Sequence, residues 1–173
     1  VLETIRRAAI GSAVALQASG DHCAIDGFCS EGRSTVHYER YKDFTQPLDA
    51  KCRSVLAGMQ ARFSTRIGAA LRHATARLTS GAAKRSHHGK LILLITDGEP
   101  HDIDVFDERY LIDDARQAVK EARSRHVATF CVSLDPDADR YVRRIFGRHG
   151  YLCVDRVEAL LAKLPQVCDR IAS

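Results

Sequence analysis

A chain of 173 residues, 45% hydrophobic and 28% charged, has the size of one α/β domain and enough apolar material for a continuous core, which excludes a disordered segment. Its formal charge of +4 is spread over positions such as Arg6, Arg7, Lys84, Arg85, Arg143 and Arg144. There is no tryptophan and no basic face interleaved with aromatics, so no nucleic-acid partner is expected. No apolar run reaches the length of about eighteen residues that a membrane span needs, and VLETIRRAAIGSAVALQ is amphipathic without a signal-peptide cleavage region; a cytoplasmic location and no membrane span are the expectations.

Leu2, Ile5, Ala9, Ala13 and Leu16 recur at helical spacing, so the chain opens on a helix that ends near Gly20. HCAIDGFCS reads as a strand, Glu31-Gly32 as a turn and STVHYERY as a second strand, together a hairpin with its second strand on an edge. DAKCRSVLAGMQ makes a short helix. After the polar RFST loop, Ile67, Leu71, Ala74 and Leu78 share one face of another, with Ser64 or Thr65 at its start. GAAKRSHHGK is a polar connection to LILLIT, a continuous apolar run of the kind buried on both faces of a parallel sheet. Leu111, Ala115, Ala118 and Ala122 line up in a helix over about residues 108 to 125, followed by the strand VATFCVSL. DADRYVRRIFGRHG gives a helix closed by Gly150, YLCV a short strand, and RVEALLAKLPQVCDRIAS a terminal helix divided at Pro165. This alternation specifies a Rossmann-like, doubly wound α/β sheet, mostly parallel with one antiparallel edge strand.

The six cysteines are scattered: Cys23 and Cys29, the tightest pair, have five residues between them, where a zinc ribbon needs closer pairs. Cys131 and Cys153 sit in strand-like runs, as buried free thiols do. In a doubly wound sheet, binding groups collect where strands give way to helices. Asp97 leaves the end of LILLIT with Gly98 beside it to allow a tight turn; the bland reading is a turn or capping aspartate. Thr65 stands at a helix start, where a hydroxyl ordinarily caps its own backbone. Taken together, a hydroxyl and a carboxylate from separate loops suit a hard cation such as Mg²⁺. Asp102, Asp104 and Asp107 lack the glycine and glutamate spacing of a calcium loop and read as a solvated acidic loop. Asp135, Asp137 and Asp139 suit turn and capping chemistry, His87 and His88 read as exposed residues, and His101 is a rim candidate.

STRIGAAL and LILLITDGEP resemble the second and third metal motifs of von Willebrand factor A domains, and the resemblance covers nearly the whole chain. GFCSEGRSTVHYERYKDF, STRIGAALRHA, TDGEPHDIDV and LDPDADRYVRRIFG are similar to the C-terminal domain of CbbO and NorD proteins, with LDPDADRYV inclining toward CbbO. The resemblance implies a non-catalytic adaptor whose metal, Mg²⁺ or Mn²⁺, is held by Thr65 and Asp97 and accepts a carboxylate from a target protein. It implies a MoxR-type AAA+ ATPase partner (CbbQ-like or NorQ-like), with rubisco as the target in the CbbO-like branch and nitric oxide reductase maturation as the role in the NorD-like one. The chain itself has no GxxxxGK[ST] phosphate loop. The family's first motif, DxSxS, is not in the sequence; the expectation is a single domain over 1–173 whose N-terminal central strand and ligands lie upstream, leaving two neighbouring strands with unpaired edges. The rival from another class is a small Mg²⁺-dependent hydrolase or phosphotransferase with Asp97 on the metal and His101 as acid or base, for which no nucleophile is recognisable.

Overall fold

A computed structural model describes residues 2–80, 89–135 and 137–163. In chain order its elements are α1 (Leu2–Ala18), β1 (Ile25–Ser30), β2 (Val36–Lys42), α2 (Ala50–Ala57), α3 (Ile67–Leu78), β3 (Lys90–Thr96), α4 (Glu108–Ser124), β4 (Val127–Ser133), α5 (Asp139–Phe146) and β5 (Tyr151–Cys153), followed by a helix, α6, over residues 157–163. His87, His88, Pro165 and Cys168 lie outside the described residues.

The sheet comes in two pieces. β1 and β2 form the expected antiparallel hairpin, from Ile25 opposite Lys42 to Ser30 opposite Val36. β3, β4 and β5 form a parallel trio in that order, with Lys90 beside Val127 and Thr96 beside Ser133. Alternation along β4 explains the layering, because successive side chains of a strand point to opposite faces. Cys131 packs with Ile67, Leu71, Ala115, Ala118, Tyr141 and Val142 on the face covered by α3, α4 and α5. Phe130 and Val132 pack on the other face with Ala8 of α1 and with Val157 and Leu160 of α6. A third cluster, Ala13, Ile25, Cys52 and Leu56, joins α1 and α2 to the start of β1. Leu111, Ala115, Ala118 and Ala122 form the buried stripe of α4, as their spacing predicts. At the far end of the hairpin Lys42 is fully buried, its Nζ donating to the carbonyls of Cys23 at 2.7 Å and Asp43 at 3.1 Å.

Three expectations need correction. LILLIT is less buried than expected: Ile92 and Leu94 pack into one layer and Leu91, Leu93 and Ile95 into the other, but within β3 only Leu94 and Thr96 are fully buried, because among the described residues β3 pairs with β4 alone and its other edge faces an opening. Helix α5 is closed by Gly147, at φ 79°, and not by Gly150; a side chain at 147 would be held in the left-handed region that favours glycine. Helix α3 starts at Ile67 with Arg66 in the capping position and no side-chain cap bond, so neither Ser64 nor Thr65 caps it.

Helices α3 and α4 approach closely at Gly68, where a Cβ would lie 2.0 Å from Asp114 Oδ2 and 3.2 Å from the Ala115 backbone nitrogen. Asp114 is meanwhile engaged by Arg72 at 2.8 Å. In an open helix interior Gly→Ala stabilises by about 1 kcal/mol. Gly68→Ala is expected to destabilise instead, by about 1–3 kcal/mol of overpacking. Urea denaturation checks this through the sign of the midpoint shift; a raised midpoint would show that the helix pair does not depend on this contact.

Candidate functional site

The site is built on residues 64–66, which tie the two pieces of sheet together. Ser64 exchanges backbone hydrogen bonds with Ser30 at the end of β1, at 2.8 and 2.9 Å, and Thr65 does the same with His101 in the loop after β3, at 2.9 and 3.2 Å. The Arg66 amide then donates to Ser30 Oγ at 3.1 Å. Three consecutive residues thus hold the C-terminal ends of β1 and β3 side by side.

Beneath this tie lies an ion pair that the sequence reading takes for a solvated acidic loop. Asp102 is 1% exposed and Arg66 7% exposed, with Arg66 Nε donating to Asp102 Oδ2 at 2.8 Å. The other carboxylate oxygen of Asp102 accepts the amides of Gly32 and Ile103, each at 2.8 Å. Asp104 also pairs with Arg66 and accepts the Arg33 amide at 2.7 Å. Asp107 caps α4 by accepting from the Arg109 amide at 3.0 Å. Burial alone would push the Asp102 carboxyl up, but the hydrogen bonds from Gly32, Arg66, Ser30 and Ile103 outweigh it and hold the group below its ordinary value.

Thr65 and Asp97 line the same opening. Thr65 is half-buried and its Oγ1 donates to the Glu99 carbonyl at 3.3 Å, which leaves the oxygen's lone pairs free. Asp97 is exposed, at the middle of a turn in which Thr96 Oγ1 donates to the Gly98 carbonyl at 3.1 Å. Among the described residues no donor reaches its carboxylate, so the turn-capping alternative has no hydrogen bond behind it. His101 Nδ1 stands 3.3 Å from Ser64 Oγ, and the His101 residue is exposed at the rim. The triplet Asp135, Asp137 and Asp139 divides: the Asp137 amide donates to Asp135 Oδ1 at 2.9 Å in a turn, Asp139 accepts from the Tyr151 hydroxyl, and the cap position of α5 belongs to Ala138.

A hydroxyl and a carboxylate without a donor among the described residues, both lining one opening, are the kinds of oxygen that Mg²⁺ or Mn²⁺ prefers, so the two residues fit such an ion in kind. They are two ligands of an octahedron, and among the described residues no group of three or more His, Cys, Asp or Glu side chains converges. The described cysteines are free thiols, and burial raises the pKa of Cys23, Cys29 and Cys153. Sequence reasoning misses Arg66 and Ser30 altogether, because nothing in STRIGAAL signals that the arginine turns inward.

The family model of the von Willebrand factor type A domain matches residues 2–165. The chain is similar to the protein NorD of Brucella melitensis biotype 1, 37% identical over 172 residues, which are 99% of this chain and 26% of that protein. It is similar to NorD of Brucella abortus, 40% identical over 165 residues (95% and 25%), and to NorD of Stutzerimonas stutzeri, 39% identical over 139 residues (80% and 22%). The chain therefore spans about a quarter of the length of these relatives. Among solved structures it is similar to manganese-loaded TRAP protein of Plasmodium vivax, with a TM-score of 0.65 at 16% identity, covering 95% of this chain and 64% of that one. At that identity the likeness is one of fold.

Removing one partner of a buried ion pair leaves the other charge uncompensated. Asp102→Asn should therefore lower unfolding free energy at neutral pH by about 3–5 kcal/mol. Because the folded-state pKa of Asp102 is depressed, its contribution is present above the ordinary carboxylate range and is lost as pH falls through the folded value. Denaturation midpoints measured down an acid series should fall less steeply in Asp102→Asn than in the parent; parallel slopes would show that the pair does not govern acid stability.

Proposed function

The chain belongs to the von Willebrand factor type A family, and from that premise we propose that it is a non-catalytic, metal-dependent adaptor that grips an Asp or Glu carboxylate of a target protein. The observation that carries this reading is the convergence of Thr65 and Asp97 on one opening, with the Asp97 carboxylate exposed and without a described donor. A bound Mg²⁺ or Mn²⁺ would supply the positive charge and the open coordination position that a partner carboxylate needs. The chain's own residues do the positioning. The Glu99 carbonyl fixes the Thr65 hydroxyl by accepting its hydrogen, and the Thr65–His101 backbone pair fixes the loop from which Thr65 projects. The Asp102–Arg66 pair holds that loop to β1. Exposed Phe63, Ile103, Phe106 and Tyr110 flank these same segments, an apolar rim that suits contact with a protein surface.

The ATPase partner in this reading is of the MoxR type, NorQ-like or CbbQ-like, and it supplies the force that a chain without a phosphate loop does not. The target has two candidates. Nitric oxide reductase maturation is supported by the relatives named NorD; rubisco remodelling rests on the LDPDADRYV resemblance alone, and no relative named above bears a rubisco-linked name. The hydrolase alternative finds little in the geometry. Ser64, the hydroxyl beside His101, is 7% exposed and both its backbone groups are locked to Ser30, so it does not present a nucleophile to a substrate.

Calorimetric titration of Mn²⁺ into the full-length protein tests the metal. Thr65→Ala and Asp97→Ala should each weaken binding by more than about tenfold. Affinity unchanged in both variants would overturn the assignment. Retention of nitric oxide reductase or of rubisco on the immobilised protein in Mg²⁺, lost in EDTA, then separates the two targets; retention equal in EDTA would mean a metal-independent interaction domain.

A further inference from the structure

Cations that the sequence spreads along the chain are gathered by the fold onto one face. At about 100° per residue, Arg109, Asp113, Arg116, Lys120 and Arg123 of α4 fall within a sector of about 80°, and all of them are exposed. The sector lies opposite the buried stripe of Leu111, Ala115, Ala118 and Ala122. Helix α5 repeats the arrangement: Arg140, Arg143 and Arg144 are exposed on the side away from buried Tyr141, Val142 and Ile145. Arg144 reaches across to Asp113, with its Nη2 donating at 3.0 Å and its Nε at 3.1 Å, so the two rows are neighbours on one surface. We propose that this surface of α4 and α5 is a docking face for an acidic segment of another protein. None of its residues lines the opening that holds Thr65 and Asp97, and the inference does not depend on the metal reading above.

An ordinary solvated helix face mixes both signs, with acids placed three or four residues from bases. Here the acids are drawn off. Asp114 and Glu121 of α4 both turn to Arg72 of α3, each at 2.8 Å, and Asp113 is taken by Arg144. Arg109, Arg116, Lys120, Arg123, Arg140 and Arg143 are left without a carboxylate partner among the described residues. Like charges follow one another at three- and four-residue spacing, from Arg116 to Lys120 to Arg123 and from Arg140 to Arg143, which weakens a helix. Stabilisation of the helix ends does not account for the pattern. A cation in the last turn complements the macrodipole, as Arg123 and Arg143 do, but Arg109 and Arg140 are each the second residue of their helix, where a cation opposes it. Charge segregated against folding stability in this way is a field presented to a partner.

Charge complementarity identifies the occupant. The face is mostly guanidinium, which takes a carboxylate in a two-point fork. Successive cations from Arg116 onward stand about 5–6 Å apart, the spacing of acidic side chains three and four residues apart on a partner helix. From Arg109 to Arg123 the row spans about 21 Å at 1.5 Å per residue, so it takes a short segment of about four helical turns. A nucleic-acid backbone fits less well, because Asp97, Glu99, Asp107, Asp137 and Asp139 are exposed at the pole where β3 and β4 end and repel a polyanion that runs past the row. The stripe also offers no aromatic platform for bases: Tyr110, the exposed large hydrophobic side chain of α4, is about a quarter turn away from Arg109. With no apolar group on the stripe to insert, a membrane surface is a poor partner as well. The contact is electrostatic and therefore sensitive to salt.

The probe is a labelled helical peptide of about fifteen residues with glutamate at three- and four-residue spacing. Its fluorescence anisotropy is followed as the full-length protein is added at low salt, in EDTA so that no metal contributes. Arg116→Gln, Lys120→Gln, Arg140→Gln and Arg143→Gln combined should weaken binding by at least about tenfold. Arg33→Gln, Lys51→Gln, Arg53→Gln and Arg62→Gln combined remove as many exposed cations elsewhere and should change it by less than about twofold. An equal fall in both variants would mean that net charge alone is read, and overturns the inference. Carbodiimide coupling of the unsubstituted protein to the same peptide, which joins a lysine amine to a carboxyl as an amide, needs no variant: Lys120 should couple in preference to Lys51. Preferred coupling at Lys51, absence of binding, tighter binding of a DNA duplex of equal charge, or preferential co-sedimentation with phosphatidylserine vesicles would each sink the proposal.

Discussion

Burying the Asp102 carboxylate is the constraint on which the binding end of the molecule depends. An isolated carboxylate loses several kcal/mol on leaving water, and this one is stabilised only because four segments converge on it: the turn after β1 through Gly32, the end of β1 through Ser30, the approach to α3 through Arg66, and its own loop through Ile103. Moving any of them strands a charge. That penalty fixes three loops relative to one another without a regular ladder between the two pieces of sheet, and Thr65 and His101 inherit their positions from it.

The same arrangement explains why the site is both rigid and open. Thr65 lies just before α3 and Asp97 just past the end of β3, and both line the opening. Rigidity comes from the charged network on the hairpin side and from the helix packing of α3 on α4; the side-chain oxygens of Thr65 and Asp97 belong to neither. A group that stabilises no fold is free to be selected for binding.

Much of the fold is legible in the sequence because most elements are patterned independently of their partners. The four-residue stripe of α4 and the hairpin flanking Glu31-Gly32 both state their environment locally. Failures occur where tertiary context decides. Gly147 and Gly150 are equally good helix stops on paper; only the φ of 79° at Gly147 separates them. Arg66 reads as a surface residue of a helix start until Asp102 is brought to it by folding, and HDIDVFD reads as solvated for the same reason. LILLIT carries the composition of a central strand, but its burial depends on having neighbours on both edges. Of the site, Thr65 is readable as a hydroxyl at a helix start and Asp97 as a carboxylate in a strand-to-helix loop, whereas the machinery that places them is not.

Because residues 64–66 join the two pieces of sheet by backbone bridges at one end, and no other backbone bridge joins them among the described residues, the assembly has the mechanics of a lever. An arm of six residues, the length of β1, extends about 20 Å from that pivot. A rotation of about 10° then displaces its far end by roughly 3.5 Å, close to the width of a methylene or two, while the pivot hardly moves. Changes in side-chain bulk near Ile25 can be absorbed by rocking the hairpin, without disturbing the spacing of the oxygen donors at the other end. The fulcrum insulates the end that carries Thr65 and Asp97 from variation at the remote one.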